Sequence, residues 1–198
     1  VYISTDYVFN GQGETPWQPE DERNPLNVYG NSKYLGELAV QKYVEKYFIV
    51  RIAWVFGING KNFINTMLNL GLTHDRLTVV SDQIGTPTYT YDLSRLLVDM
   101  AESDKYGIYH ATNEGGYISW YDFTVEIMKQ AAKYNDKYSK VEVLPVGSDM
   151  YPAKAKRPSN SRMDKSKLKN QGFEPLPDWK DALSRYLQQK MEIENGTN

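Results

Sequence analysis

The segment NVYGNSKYLGE carries Tyr29 and Lys33 four residues apart in a stretch that reads as helix. At about 100° per residue the two side chains leave one face a single turn apart. A free phenol has a pKa of about 10, too high to exchange protons readily at neutral pH. An ammonium beside it stabilises the phenolate and brings the group toward the useful range. Tyr29 and Lys33 are therefore a candidate proton donor and the charge that tunes it. Y-x-x-x-K also arises by chance on many helices as ordinary surface decoration. Lys33 sits near the helix's N-terminal end, the wrong end for a cation by dipole logic, which favours chemistry over decoration.

The elements that must position this pair follow from pattern. VYISTDYVF and FIVRIAWVFG read as two buried strands, the second closed by Gly57, and GIYHATN as a third. The helix bearing the pair runs from Pro25 or Tyr29 to Tyr47. Its residues Tyr29, Lys33, Gly36, Val40, Val44 and Tyr47 share one strip, with Leu35, Leu38 and Ala39 opposite, which predicts cover on both sides. Further helices are expected from Asn62 to Leu72, from Asp92 (as cap) to Ser103, and from Ser119, where Asp122 completes a capping box. VEVLPV reads as a strand, RPSNSRMD as extended chain, and two helices close the sequence, the last from Asp178. The segment from Asn10 to Asn27, with three prolines and several acidic residues, reads as an irregular exposed loop.

Helices alternating with buried strands predict an α/β fold with a parallel sheet. Function in such sheets gathers beyond the carboxyl ends of the strands, here Ser4 to Tyr7, Ala53 to Gly57 and Thr112 to Gly115. No G-x-x-G-x-x-G turn precedes any strand, and GQG and GING open no helix after one. The 198 residues carry a net charge of -2, which gives no nucleic-acid footprint. No apolar run approaches the ~20 residues that cross a bilayer. The absence of cysteine excludes disulfides and thiol catalysis and fits a reducing cytoplasm. The two histidines, His74 and His110, lie far apart, so no zinc site is expected, and His110 reads as a satisfied core residue. The chain opens at Val1 directly on a strand, which predicts that residues precede it.

STDYVFNG, NVYGNSKYLGE, RIAWVFG, DQIGTPTYTYDLS and RPSNSRMD together, in this order and spacing, resemble the extended short-chain dehydrogenase/reductases. Within that superfamily the chain, to about Lys190, resembles the dTDP-4-dehydrorhamnose reductase family. The resemblance implies the C-terminal part of a Rossmann-type doubly wound parallel sheet (1–60 and 90–117) with a smaller mixed α/β substrate-binding lobe (61–89 and 118–198). It implies reduction of the 4-keto group of a dTDP-linked 6-deoxy sugar by NADPH or NADH in the cytoplasm. The family forms homodimers, in some members with magnesium at the interface, and no nucleic-acid or membrane partner is expected. The family's opening strand, glycine-rich turn and helix are not in this sequence; three βα units put the preceding part at roughly 90–100 residues. The first strand would then have an unpaired apolar edge.

By the same resemblance Tyr29 is the general acid and Lys33 its tuner and a ligand of the nicotinamide ribose. Ser4 and Ala53 join them on the cofactor side. Thr5 binds the carbonyl oxygen with Asp6 as its neighbour in the site. Trp54 packs on the sugar, Gln83 belongs to the lobe that covers it, and Arg157 meets the diphosphate with a fork suited to two oxygens. Each has a plainer reading. Thr5 and Asp6 could simply end a strand in a turn, Trp54 could be core, and Arg157 with Lys154 and Lys156 could be a solvated basic face. Gln83, Thr86 and Thr88 could be loop chemistry alone, and Asn62 matches a motif position without a derivable role. Two other functions remain open: a non-catalytic regulatory subunit like that of methionine adenosyltransferase, and another extended reductase or epimerase of nucleotide sugars. Intact Thr5, Tyr29 and Lys33 argue against the first, and Trp54 against both.

Overall fold

The computed structural model describes residues 1–151, 157–194 and 196, so Lys154 and Lys156 lie outside the described residues. In chain order the elements are β1 (Tyr2–Thr5), α1 (Val28–Tyr43), β2 (Phe48–Ile52), β3 (Val55–Phe56), α2 (Phe63–Thr73), β4 (Arg76–Val80), β5 (Ile84–Gly85), β6 (Thr88–Tyr89), α3 (Thr90–Ala101), β7 (Gly107–His110), β8 (Ile118–Ser119), α4 (Trp120–Ala131), β9 (Glu142–Val146), α5 (Ser166–Asn170) and α6 (Trp179–Glu194). The architecture is α/β. Strands β1, β2 and β7 form a parallel sheet in that order, with Thr5 opposite Ile52 and Arg51 opposite His110. Among the described residues β1 is an edge strand. Two short parallel pairs, β3–β6 and β4–β9, and one antiparallel pair, β5–β8, lie outside this sheet.

Side chains of a strand alternate between faces, and the central strand β2 uses both. Phe48 and Val50 pack with Leu93, Leu96 and Met100 of α3. Leu168, Phe173 and Leu176 join this cluster, although their numbers fall in the range expected for the smaller lobe. The opposite face holds a charge. Arg51 is fully buried; its Nε and Nη2 donate to the two carboxylate oxygens of Glu37 on α1, each at 2.8 Å. Its Nη1 donates to the Pro19 carbonyl at 2.9 Å and to His110 Nε2 at 3.2 Å. Burial alone would raise the Glu37 carboxyl, but the bonds and charge of Arg51, with a bond from Arg23 adding to them, hold it below its ordinary value. His110 is pushed well below its ordinary value by burial and by the Arg51 charge, and is neutral. Its Nε2 accepts from Arg51, so the ring proton is on Nδ1, which donates to the Asp164 carbonyl at 3.1 Å. His110 is the satisfied core residue that the sequence suggests.

Several expectations change. FIVRIAWVFG is not one strand: Trp54 adopts a φ of 50°, a left-handed conformation that costs a bulky residue energy, and the chain turns there from the sheet into β3. Helix α1 ends at Tyr43 because Tyr47 is already extended, its carbonyl accepting from Gly107 N at 2.8 Å. Only Gly30 and Glu37 of α1 are buried; the strip of Lys33 and Gly36 lies against Tyr2 and Ile3 of β1 beside the Arg51 tether, while Leu35, Leu38 and Ala39 on the opposite strip remain exposed. Asp92 does not cap α3, which starts at Thr90. Asp92 instead takes two 2.8 Å bonds from Arg185 of α6, plus one of 2.8 Å from Asn113. The Asn113 amide oxygen accepts from Tyr89 N at 2.7 Å and serves the helix start in its place.

The segment from Asn10 to Asn27 is irregular but tied down. Trp17 stacks on Phe9 with ring centroids 4.7 Å apart, and its Nε1 donates to the Asn160 carbonyl. The RPSNSRMD segment lies extended over this loop as a strap, with Asn160 Nδ2 donating to the carbonyls of Gln12 and Thr15. A second core, with Ile64, Leu68, Phe123, Ile127 and Leu183, joins α2, α4 and α6. Asn62 caps α2 through its Oδ1, and its Nδ2 donates to the Gly57 carbonyl and to Tyr186 Oη. That is a structural role.

Removing one partner of a buried ion pair leaves the other charge unpaired in a dry site. Glu37→Gln should therefore lower the unfolding free energy by ~3–5 kcal/mol in urea titrations. Glu142→Gln, at the exposed pair with Arg76, should cost less than ~1 kcal/mol.

Candidate active site

The carboxyl end of β1, the start of α1 and the β2–β3 turn enclose a cavity of about 360 Å³. Ser4, Thr5, Asp6, Tyr29, Lys33, Ala53 and Trp54 all line it. Helix α1 starts where Asn27 caps it, its Oδ1 accepting from Gly30 N at 2.8 Å, so Tyr29 falls in the first turn at the cavity mouth. Tyr29 is 52% exposed, with its ring edge-on to Tyr7 at 5.7 Å. Lys33 is held from below. Its Nζ donates to the Ile3 carbonyl at 3.1 Å and lies 5.4 Å from the Tyr2 ring centroid. The Tyr2 hydroxyl donates to the Lys33 carbonyl at 3.3 Å and fits beneath Gly36, where any side chain would collide with it.

Thr5 and Asp6 do more than end a strand. Thr5 Oγ1 accepts from Tyr7 N at 3.3 Å and donates to Asp6 Oδ1 at 2.9 Å. Asp6 is buried, and Ser161 of the strap donates to its Oδ2 at 2.5 Å. Burial pushes the Asp6 carboxyl up to about 6, against the opposing pull of the Ser161 and Thr5 hydroxyls and of backbone amides. The neighbouring Tyr7 phenol is raised by its own burial and then by the Asp6 charge.

Trp54 stacks one face on Trp120, with ring centroids 3.6 Å apart and planes 15° from parallel. Gly85 fits between the Trp54 ring and Ser161, close enough to both that a side chain there must displace one. Trp120 also lines a larger cavity of about 820 Å³, together with Gln83, Arg157, Phe63, Met67 and Tyr151. The Trp54–Trp120 stack thus joins the walls of the two cavities. Gln83 is half-buried and Arg157 exposed there. Thr86 and Thr88 do not face either cavity's lining; their hydroxyls donate to the Gly116 and Ala53 carbonyls at 2.9 and 2.6 Å. The third expected rim segment, Thr112 to Gly115, is also spent on structure, through Asn113 and through Glu114, which pairs with Lys165 at 3.3 Å. Among the described residues no group of three or more His, Cys, Asp or Glu is placed to hold a metal ion.

Sequence reasoning passed over Glu37, Arg51, Trp120 and Ser161. Signals for three of them were present. Glu37 lies one turn beyond Lys33 on the same face, Arg51 is a charge inside an apolar strand, and Ser161 lies in RPSNSRMD, four residues beyond Arg157.

A carboxyl raised from 3.8 to about 6 binds its proton more tightly in the folded than in the unfolded chain. Stability from this group therefore falls as pH rises from about 4 to about 6, by an amount on the order of 3 kcal/mol. Asp6→Asn removes the titration. The unfolding free energy of the variant minus that of the wild type should rise across this window, and a flat difference would refute the assignment.

The sequence matches the family described as RmlD substrate binding domain over residues 1–192. It is 40% identical over 190 residues to the spore coat polysaccharide biosynthesis protein SpsK of Bacillus subtilis (strain 168), covering 96% of this chain and 64% of that protein. It is 36% identical over 192 residues to the dTDP-4-dehydrorhamnose reductase of Escherichia coli (strain K12), covering 94% of this chain and 64% of that enzyme. Among solved structures, the dTDP-4-dehydrorhamnose reductase of Bacillus anthracis in complex with NADP superposes with a TM-score of 0.85 at 39% identity, over 95% of this chain and 64% of that one. The chain thus spans 64% of the length of the curated relatives described. With the family's pattern matched over residues 1–192, the chain belongs to the RmlD substrate binding domain family.

Proposed function

We propose that this chain carries the acid–base and substrate-binding part of an NAD(P)H-dependent dTDP-4-dehydrorhamnose reductase, which makes dTDP-L-rhamnose. The observation that carries the reading is the convergence of Tyr29, Lys33 and Thr5 on one cavity beside a second, larger one. The relatives named dTDP-4-dehydrorhamnose reductase support the choice of substrate.

The residues present fit the nicotinamide–ribose end of a dinucleotide: an ammonium already held by a carbonyl, a phenol at the mouth and the Ser4 and Ala53 wall. The sequence contains no G-x-x-G-x-x-G turn to offer amides to a pyrophosphate. When bound, the reduced nicotinamide supplies hydride to C4 of the sugar. The C4–O4 π electrons move to O4, and Tyr29 gives O4 its phenolic proton, so the ketone becomes an alcohol. Lys33 stabilises the phenolate left behind. Thr5 holds O4 in place, and Trp54 offers the sugar the ring face that Trp120 leaves free. Gln83 and Arg157 serve the nucleotide side in the larger cavity, with Arg157 on the diphosphate.

On this reading residues 1–60 with 90–117 form the catalytic side, whose core also takes in Leu168, Phe173 and Leu176, and the remainder of residues 61–89 and 118–198 forms the lobe over the sugar. A cytoplasmic homodimer belongs to the same proposal, with sedimentation velocity as its check. No helix among the described residues is long and apolar enough to cross a membrane.

Tyr29→Phe in the native protein should lower turnover of dTDP-4-dehydrorhamnose with NADPH by ~10²–10⁴-fold, the scale of one general acid. Calorimetric affinity for dTDP-L-rhamnose should change little; unchanged turnover would remove the phenol from the mechanism. Arg157→Ala should weaken dTDP-L-rhamnose binding by roughly tenfold or more, the worth of a charge-assisted bond, and reduce the salt dependence of that binding.

A further inference from the structure

The proton of the Thr5 hydroxyl is already committed. A hydroxyl has one proton and two lone pairs. Thr5 spends the proton on Asp6 Oδ1 at 2.9 Å and one lone pair on Tyr7 N at 3.3 Å. With Asp6 ionised, Thr5 therefore offers the cavity a lone pair and no donor. That is the wrong polarity for holding a carbonyl oxygen. The proposed reaction needs the reverse.

We infer that Ser161 is a positioning residue which, by donating to Asp6 Oδ2, directs any proton on the Asp6 carboxyl to Oδ1, so that Asp6 donates to Thr5 and frees the Thr5 proton for the cavity. This rests on the proposed reductase reading and deepens it. The geometry carries it. The Ser161 backbone is fixed by its N–H to the Ile84 carbonyl at 2.7 Å, and its Cβ stands beside Gly85, where any larger residue would press on it. Its hydroxyl reaches Oδ2 at 2.5 Å, from a residue 155 positions away in the chain. Protonation at Oδ1 preserves that bond unchanged, because the uncharged Oδ2 remains an acceptor. Thr5 Oγ1 then accepts from Asp6 and Tyr7 N and donates outward, which uses its full capacity.

The other titratable or charged groups near the carboxyl are Tyr7 on its own turn, Tyr29 and Lys33 across the cavity, and Arg157 at the head of the strap. None of them bonds the Asp6 carboxylate, which accepts from the Thr5 and Ser161 hydroxyls. Its titration near 6 makes both states available close to neutral pH.

The test is to follow the Asp6 carboxyl ¹³C signal, assigned with Asp6→Asn, from pH 4 to 9, and to measure the affinity for the ketone dTDP-4-dehydrorhamnose by calorimetry, without reduced nicotinamide, over the same range. In the wild type the affinity should break at the carboxyl midpoint. Ser161→Ala should move both midpoint and break upward by about one to two pH units, the worth of one charge-assisted bond. Ser161→Thr should restore them, and Asp6→Asn should abolish the break. A midpoint unmoved in Ser161→Ala overturns the inference, as does an affinity that ignores the wild-type midpoint. If dTDP-4-dehydrorhamnose binds at no pH, the substrate reading fails, yet the bond chain is still decided: Thr5→Val and Ser161→Ala must each raise the midpoint, or it does not exist.

Discussion

The site depends on one buried ion pair. Arg51 stands in the middle strand of the parallel sheet, and Glu37 meets it from the helix that carries Tyr29 and Lys33. Two parallel bonds between planar groups fix distance and rotation together, which apolar contacts do not. Tyr29, Lys33 and Glu37 are spaced by four, so the tether that orients Glu37 also sets the direction of the other two. Such a pair is costly to desolvate and is no general source of stability. Here the remaining bonding capacity of Arg51 is taken up by a carbonyl and by a neutral histidine, so that no charge is stranded.

Around this tether the site assembles from distant pieces of chain. β1 brings the Thr5–Asp6 step, the left-handed turn at Trp54 swings an indole over the cavity, and the strap delivers Ser161. Strain and burial coincide here: the one non-glycine residue with positive φ among the described residues and a carboxyl that resists ionisation lie in the same cavity wall. Both are costs to the folded state, of the kind that collects where a fold serves chemistry.

Local signals in the sequence were accurate where local chemistry decides the outcome. The Ser119–Asp122 capping box forms as written, with both bonds present. Three of the five motif segments supply Thr5, Asp6, Tyr29, Lys33 and Trp54, which the fold gathers in one cavity, while Gln83 and Arg157 of the other two line the larger one. What could not be read depends on tertiary partners. FIVRIAWVFG has the composition of one strand, and nothing local announces the reversal at Trp54. Asp92 looks like a cap until Arg185, 93 residues away, claims it. The loop from Asn10 to Asn27 looks solvated because its prolines and acids are visible, while the strap that pins Trp17 lies far along the chain.

The separation of these contacts bears on how the protein is made. Trp17 reaches its carbonyl partner across 143 residues and Asp6 its hydroxyl partner across 155. A chain emerging from the ribosome therefore presents the Asp6 turn, the Phe9–Trp17 stack and the sheet edge long before the strap exists to cover them. Contacts of such high order form late and slow the final step.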